Sequence, residues 1–297
     1  MIISIASGKG GTGKTTVAVN LALCLNNVQF IDCDVEEPNA HIFLKPVISK
    51  QEKAYILVPE IDEKKCNYCG KCRQVCAYNA FAVLAPRDNK QGSILVFTNL
   101  CHGCGACSFF CAQKAITEVK QEIGVVETGS SGLIHFTHGR LDIGQAMAPP
   151  LIRQVKEHID LSKTVIIDAP PGTSCPVVSA VKASDFCLLV TEPTPFGLND
   201  LILAVEVLKK LKIPFGVVIN RSDLGDDKTD KYCLKENIPV LMRIAFKREI
   251  AEAYAQGKVL VEIFPDYKTV FIDLFDKIQK IKEKFMTKTA EDAARKI

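Results

Sequence analysis

The chain has 297 residues, 47% hydrophobic and 24% charged, with a net charge of +3. These are ordinary values for a globular protein with a sizeable core, and the charge is too weak to argue for a nucleic-acid partner. No apolar run reaches the ~18 residues of a membrane span, and the opening MIISIASGKGG has no charged n-region, so neither stable membrane insertion nor a signal peptide is expected.

Taken in chain order, IISIAS is a short strand, a Gly-rich loop follows, and TTVAVNLALCLNN has helical apolar spacing. VQFIDCD is the next strand. Strand, loop, helix and strand in this order predict a parallel α/β sheet. The same grammar returns after residue 160: KTVIIDAP, DFCLLVTEP and IPFGVVINR read as buried strands, and GLNDLILAVEVLKKL and Tyr267 to Phe285 as helices. Between them, GVVETGSSGLIHFTHGRL reads as a hairpin.

The middle of the chain departs from this pattern. There are 13 cysteines, an odd number, and eight of them fall between Cys66 and Cys111. That clustering argues for metal ligation and a reducing, cytoplasmic compartment, not for a disulfide framework. KCNYCGKCRQVCAYNAF is repeated as LCHGCGACSFFCAQKAI at an offset of 35 residues. Cys66, Cys69, Cys72 and Cys76 have the spacing C-x2-C-x2-C-x3-C, and Cys101, Cys104, Cys107 and Cys111 repeat it. Thiolates in this spacing suit iron–sulfur clusters, with the fourth ligand supplied by the other run. One 4Fe–4S cluster is therefore expected on Cys66, Cys69, Cys72 and Cys111, and a second on Cys101, Cys104, Cys107 and Cys76. Ala77 and Ala112 stand where the two-cluster ferredoxin pattern usually has Pro. The expected organisation is one α/β domain from residues 1–58 and 121–297, interrupted by a ferredoxin-type α+β module at 59–120.

Gly8-Lys9-Gly10-Gly11-Thr12-Gly13-Lys14-Thr15 fits the general P-loop pattern. Its backbone N–H groups, with Thr16 at the start of the helix, are expected to cradle phosphate. Lys14 would reach the β- and γ-phosphates and the Thr15 hydroxyl would ligate Mg²⁺.

Lys9, just after the first glycine, resembles the deviant P-loop of the MinD/ParA/Mrp and nitrogenase iron-protein families. The resemblance implies that Lys9 reaches a partner's nucleotide in an ATP-dependent homodimer, or in a heterodimer with a paralogue. It extends to Asp32-Cys33-Asp34, implying Asp34 for water positioning and Asp32 for the outer Mg²⁺ shell, although the order could be swapped. It includes the Walker B and switch II segment Val-Ile-Ile-Asp168-Ala-Pro-Pro-Gly172, and Asn220 at a strand end that contacts adenine in the family. Cys24 and Cys187 read as core thiols, Cys33 as pointing away from its acidic neighbours, and Cys233 as uninformative. Cys175, just after switch II, has either a structural or a ligand role.

The expected function is a slow, partner-stimulated ATPase that binds ATP/ADP, Mg²⁺ and two 4Fe–4S clusters. Its nucleotide state would be coupled to electron transfer to, or metallocofactor assembly on, a client protein. An Mrp-type cluster carrier and a ParA/MinD-like positioning ATPase are the alternatives.

Overall fold

The computed structural model describes residues 1–87 and 91–294. In chain order the elements are β1 (Ile2–Ala6), α1 (Lys14–Leu23), β2 (Val28–Asp32), α2 (Ala40–Leu44), β3 (Val47–Ile61), α3 (Lys71–Val75), β4 (Phe81–Leu84), β5 (Ser93–Val96), α4 (Ala106–Phe109), β6 (Ile116–Ser131) and β7 (Ile134–Leu141). They continue with α5 (Ala148–Lys156), β8 (Thr164–Asp168), α6 (Cys175–Val181), β9 (Phe186–Thr191), α7 (Pro195–Leu211), β10 (Phe215–Asn220), α8 (Lys228–Lys235), β11 (Val240–Ile244), α9 (Arg248–Ala255), α10 (Leu260–Ile263) and α11 (Tyr267–Ala294).

Two compact units divide the chain. The first comprises Met1–Gln51, Glu127–Gly139 and Ile152–Ile297. Its sheet runs β11-β10-β9-β1-β8-β2-β7 and continues into the ends of β6 and β3 that belong to this unit. From β11 to β7 every neighbouring pair is parallel. The expected α/β class with a mostly parallel sheet is therefore observed. Strands β2, β8 and β9 are apolar almost throughout and buried on both faces, as a sheet covered by helices on each side requires. Their acidic residues, Asp32 and Asp168, sit at the carboxyl ends of β2 and β8. Asp32 and Asp168 are register partners, so two acids from strands far apart in sequence emerge side by side.

The core of this unit joins Ile3, Ile5 and Phe30 of the strands to Val17, Ala18 and Leu21 of α1 and to Phe271, Leu274 and Ile278 of α11. The last three recur at helical spacing and are fully buried, so the apolar stripe of α11 is a core stripe. Among the described residues no helix is long and apolar enough to cross a membrane.

The second unit comprises Glu52–Val126 and Arg140–Leu151, wider than the span 59–120 marked by cysteine content. Cysteine content finds the ligand loops; it is blind to the ordinary residues of β3 and β6, which lead into and out of them. An antiparallel β4–β5 pair lies in this unit, as do two very short helices, α3 and α4, each starting after a left-handed glycine, Gly70 and Gly105. Its cysteine-side core is small: Ala80, Phe81, Cys107 and Ile116 are buried, with Cys72, Cys76, Cys101 and Cys111 packed against them.

Candidate functional site

The nucleotide-type cleft is built at the carboxyl ends of β1, β2 and β8. The loop leaving β1 turns into α1 at Gly13, whose φ is +93°. A Cβ there would stand 2.5 Å from Asn220 Nδ2, so both conformation and space require glycine. Within the loop the Ser7 hydroxyl donates to the Lys9 carbonyl at 2.5 Å, and two further bonds hold the loop from outside. Asn220 Nδ2 donates to the Thr12 carbonyl at 2.8 Å, and the Gly172 N–H donates to the Ser7 carbonyl at 3.0 Å. Gly10, Gly11, Gly13, Lys14, Thr15 and Thr16 line the cleft on one side, with Asp34 beside them. Lys14 is buried.

The acids differ in environment. Asp32 is fully buried and accepts the N–H groups of Asp34 and Ala40 at 3.0 and 3.1 Å. Burial, and then the adjacent Asp168, raise its carboxyl well above the usual range. Burial raises Asp168 to about 7, against the opposing pull of Lys14 and a hydrogen bond from the Thr15 hydroxyl. Its Oδ1 is buried without a hydrogen-bond partner. Asp34 is the more open acid; burial raises it to about 6, with Lys14 again opposing. Lys14, Thr15, Asp32, Asp34 and Asp168 thus form one electrostatic group, in which Asp32 is also tied to the backbone that follows it.

The eight clustered cysteines stand around two cavities. Cys66, Cys69, Cys72 and Cys111 line one, with Val83, Ile94 and Ile116 as apolar walls. Cys76, Cys101, Cys104 and Cys107 line the other. Each set takes three thiols from one run and one from the other. The repeat extends to the backbone: N–H groups of Tyr68 and Gly103 point at Cys66 and Cys101 sulfur at 3.4 Å, and those of Ala80 and Ala115 at Cys76 and Cys111 sulfur at 3.3 Å. Burial pushes the thiols of Cys72, Cys101 and Cys107 up, Cys107 to about 11, and neighbouring thiols push the same way. Among the described residues no three Cys, His, Asp or Glu side chains close on the position of a single metal ion.

The sequence profile of the CobQ/CobB/MinD/ParA nucleotide binding domain matches residues 3–261. The chain belongs to this family. It is a P-loop ATPase of the MinD/ParA type. An uncharacterized protein of Methanocaldococcus jannaschii is 33% identical over 272 residues, covering 87% of this chain and 90% of that relative. An iron-sulfur cluster carrier protein of Pyrococcus horikoshii is 25% identical, covering 95% and 86%. Among solved structures, the septum site-determining protein MinD of Pyrococcus horikoshii, complexed with Mg-ADP, shares the fold. Its TM-score is 0.54 at 21% identity, with 95% of this chain and 98% of that one covered.

Two family positions have partners within the chain. Lys9 Nζ lies 3.5 Å from Glu192 Oε2. The Asn220 amide, expected to face a base, has one N–H committed to Thr12 and its oxygen to the Arg221 N–H at 3.0 Å. Among the remaining cysteines, Cys33, Cys187 and Cys233 are buried, Cys24 is half-buried at the end of α1, and Cys175 is exposed at the first turn of α6. The sequence reading missed Glu192, an acid at the end of a buried apolar strand, the same signal that marks Asp32 and Asp168. It also missed His138, which lies within β7 in register with Asp32 and 2.7 Å from Glu127; polar residues recur along this strand, so nothing local marks this one.

Proposed function

We propose that this P-loop ATPase carries two 4Fe–4S clusters and uses its nucleotide state to gate electron transfer to, or metallocofactor assembly on, a client protein. The observation that carries the reading is the crossed grouping of the eight thiols into two sets of four. The donor sets fit the group: each is all-thiol, each faces an apolar wall, and backbone N–H groups point at its sulfurs. Cys66, Cys69, Cys72 and Cys111 would hold one cluster, and Cys76, Cys101, Cys104 and Cys107 the other. The clusters, when bound, supply one-electron transfer. The chain's own part is to hold the thiolates, exclude water with Val83, Ile94 and Ile116, and stabilise sulfur charge with N–H dipoles.

At the other site, the backbone from Gly8 to Thr16 would cradle the phosphates of ATP, with Lys14 neutralising them. The partnerless Asp168 Oδ1 beside Thr15 fits a hydrated Mg²⁺, with Asp32 behind it. Asp34, open to the cleft, is the candidate to position the attacking water. Gly172, through its N–H to Ser7, links switch II to the phosphate loop. Lys9 would act across an ATP-dependent dimer once released from Glu192.

A second reading, delivery of whole clusters, is favoured by the 25% identity to the Pyrococcus horikoshii carrier across 95% of the chain. A positioning role has likeness of fold alone behind it. Anaerobic purification followed by iron and sulfide assay tests the main reading, with about eight of each expected per chain. Full zinc occupancy without broad visible absorbance would end it. Incubation with an apo iron–sulfur acceptor then separates the two readings: a relay keeps its iron, and a carrier loses it to the acceptor.

A further inference from the structure

We infer that Glu192 is a positioning residue of the ATPase site: its buried carboxylate holds Lys9 inside its own subunit until a partner's phosphates take it. The inference rests on the reading of Lys9 as the lysine that crosses a dimer.

Glu192 follows β9, a strand with no exposed residue, and its side chain is only 8% exposed. A carboxylate so placed needs counter-charges. It has two, one on each oxygen. Arg221 Nη1 lies 2.7 Å from Oε1 and Lys9 Nζ lies 3.5 Å from Oε2. The Arg221 contact is close but off the line of an N–H, so it is ionic in character and not a directed hydrogen bond.

The two contacts are unequal, and the inequality suggests a division of labour. Arg221 follows β10 directly, has left-handed backbone (φ +51°) and is anchored by its N–H to Asn220. Its guanidinium makes the shorter contact, so its charge remains beside Glu192 when the Lys9 side chain swings away. Lys9 makes the longer contact and sits on a glycine-rich loop. When Lys9 leaves, Arg221 still neutralises the carboxylate, so release breaks the weaker pair without stranding a buried charge. Arg221 is therefore the permanent counter-ion and Lys9 the exchangeable one. Glu192 sets how strongly phosphate on a second copy must compete before the dimer closes.

Acylation of the Lys9 amine in the nucleotide-free chain, read by peptide mass spectrometry, tests this without dimerisation. Glu192→Gln keeps the shape and removes the charge; Lys9 labelling should rise on the order of five-fold, the scale of one partly exposed ion pair. Glu192→Asp withdraws the carboxylate by one methylene and should give a smaller rise, and it carries the test if the Gln variant does not fold. Arg221→Gln should not raise labelling, because Glu192 then depends on Lys9 alone. Equal labelling in wild type and both Glu192 variants overturns the inference, as does an equal rise in Arg221→Gln, which would mean general loosening. Sedimentation with ATP in an Asp34→Ala background separates the two readings. Labelling that rises in a chain that never dimerises leaves the Glu192 hold standing and removes the dimer. A dimer with unchanged Lys9 labelling does the reverse.

Discussion

Cys76 follows Cys72 by four residues but turns away from it, and lines the cavity of Cys101 instead. Cys111 makes the mirror-image move toward Cys72. If these cavities hold clusters, serine replacements should sort by cavity and not by sequence run. Cys76→Ser and Cys101→Ser should leave the same residual paramagnetic spectrum on reduction, and Cys72→Ser and Cys111→Ser should leave the other. Each single change should remove up to half of the iron. Spectra that pair Cys76 with Cys72 would show local ligation.

The cysteine-side core of the second unit has four buried residues, one of them Cys107, and four half-buried thiols pack on it beside Ile61, Val83, Ile94 and Val96. A core of that size supplies little burial energy, so ligand bonds should carry much of the order there. Iron removal by chelator should therefore raise amide hydrogen exchange at Ala80, Phe81 and Ala115 by at least ~10-fold, while α1 and β8 keep their protection. Uniform loss of protection would show that the units unfold together.

Lys14 is buried against Asp34 and Asp168 and lines the cleft at the start of α1, where a phosphate would meet it. Lys14→Ala should weaken ATP binding on the order of 100-fold, the loss of a charge-assisted contact. Asp34→Ala should bind ATP within a few-fold of wild type and turn over on the order of 100-fold more slowly. Isothermal titration and single-turnover assays read the two effects separately. Equal loss of binding in both variants would remove Asp34 from the catalytic role.

Asp168 carries a pH signature. Burial raises its folded-state pKa to about 7, although Lys14 and Thr15 oppose the shift. Unfolded, the group titrates near 4. The folded chain therefore keeps a proton that the unfolded chain loses. This stabilisation is complete below the unfolded pKa and is lost as pH rises through about 7. Asp168→Asn cannot lose that proton. Without nucleotide and Mg²⁺, the variant should gain stability relative to wild type on the order of 1 kcal/mol between pH 6 and 8, read by urea unfolding. The opposite trend would mean that Lys14 outweighs burial.

The phosphate loop, the strand-end acids and the paired cysteine runs were legible in the linear chain because each is a local pattern. Glycine spacing serves a backbone that curls within eight residues, and cysteine spacing serves a loop wrapping one object. Strand β3 was not legible, since its alternation is broken by exposed polar positions over most of its first half. The short helices α2, α9 and α10 were missed for a related reason: one or two turns carry too few apolar repeats to stand out.

What the sequence determined by itself is the chemistry available: which side chains can neutralise phosphate, offer sulfur, or carry charge at a strand end. The tertiary structure decided which of these groups meet. Asn220 holds Thr12 across 208 positions of chain, Asp32 meets Asp168 through strand register, and Lys9 meets Glu192 because β9 pairs beside β1. Such pairings depend on strand order, which is set by the burial of many apolar residues together. No short stretch of sequence contains that order.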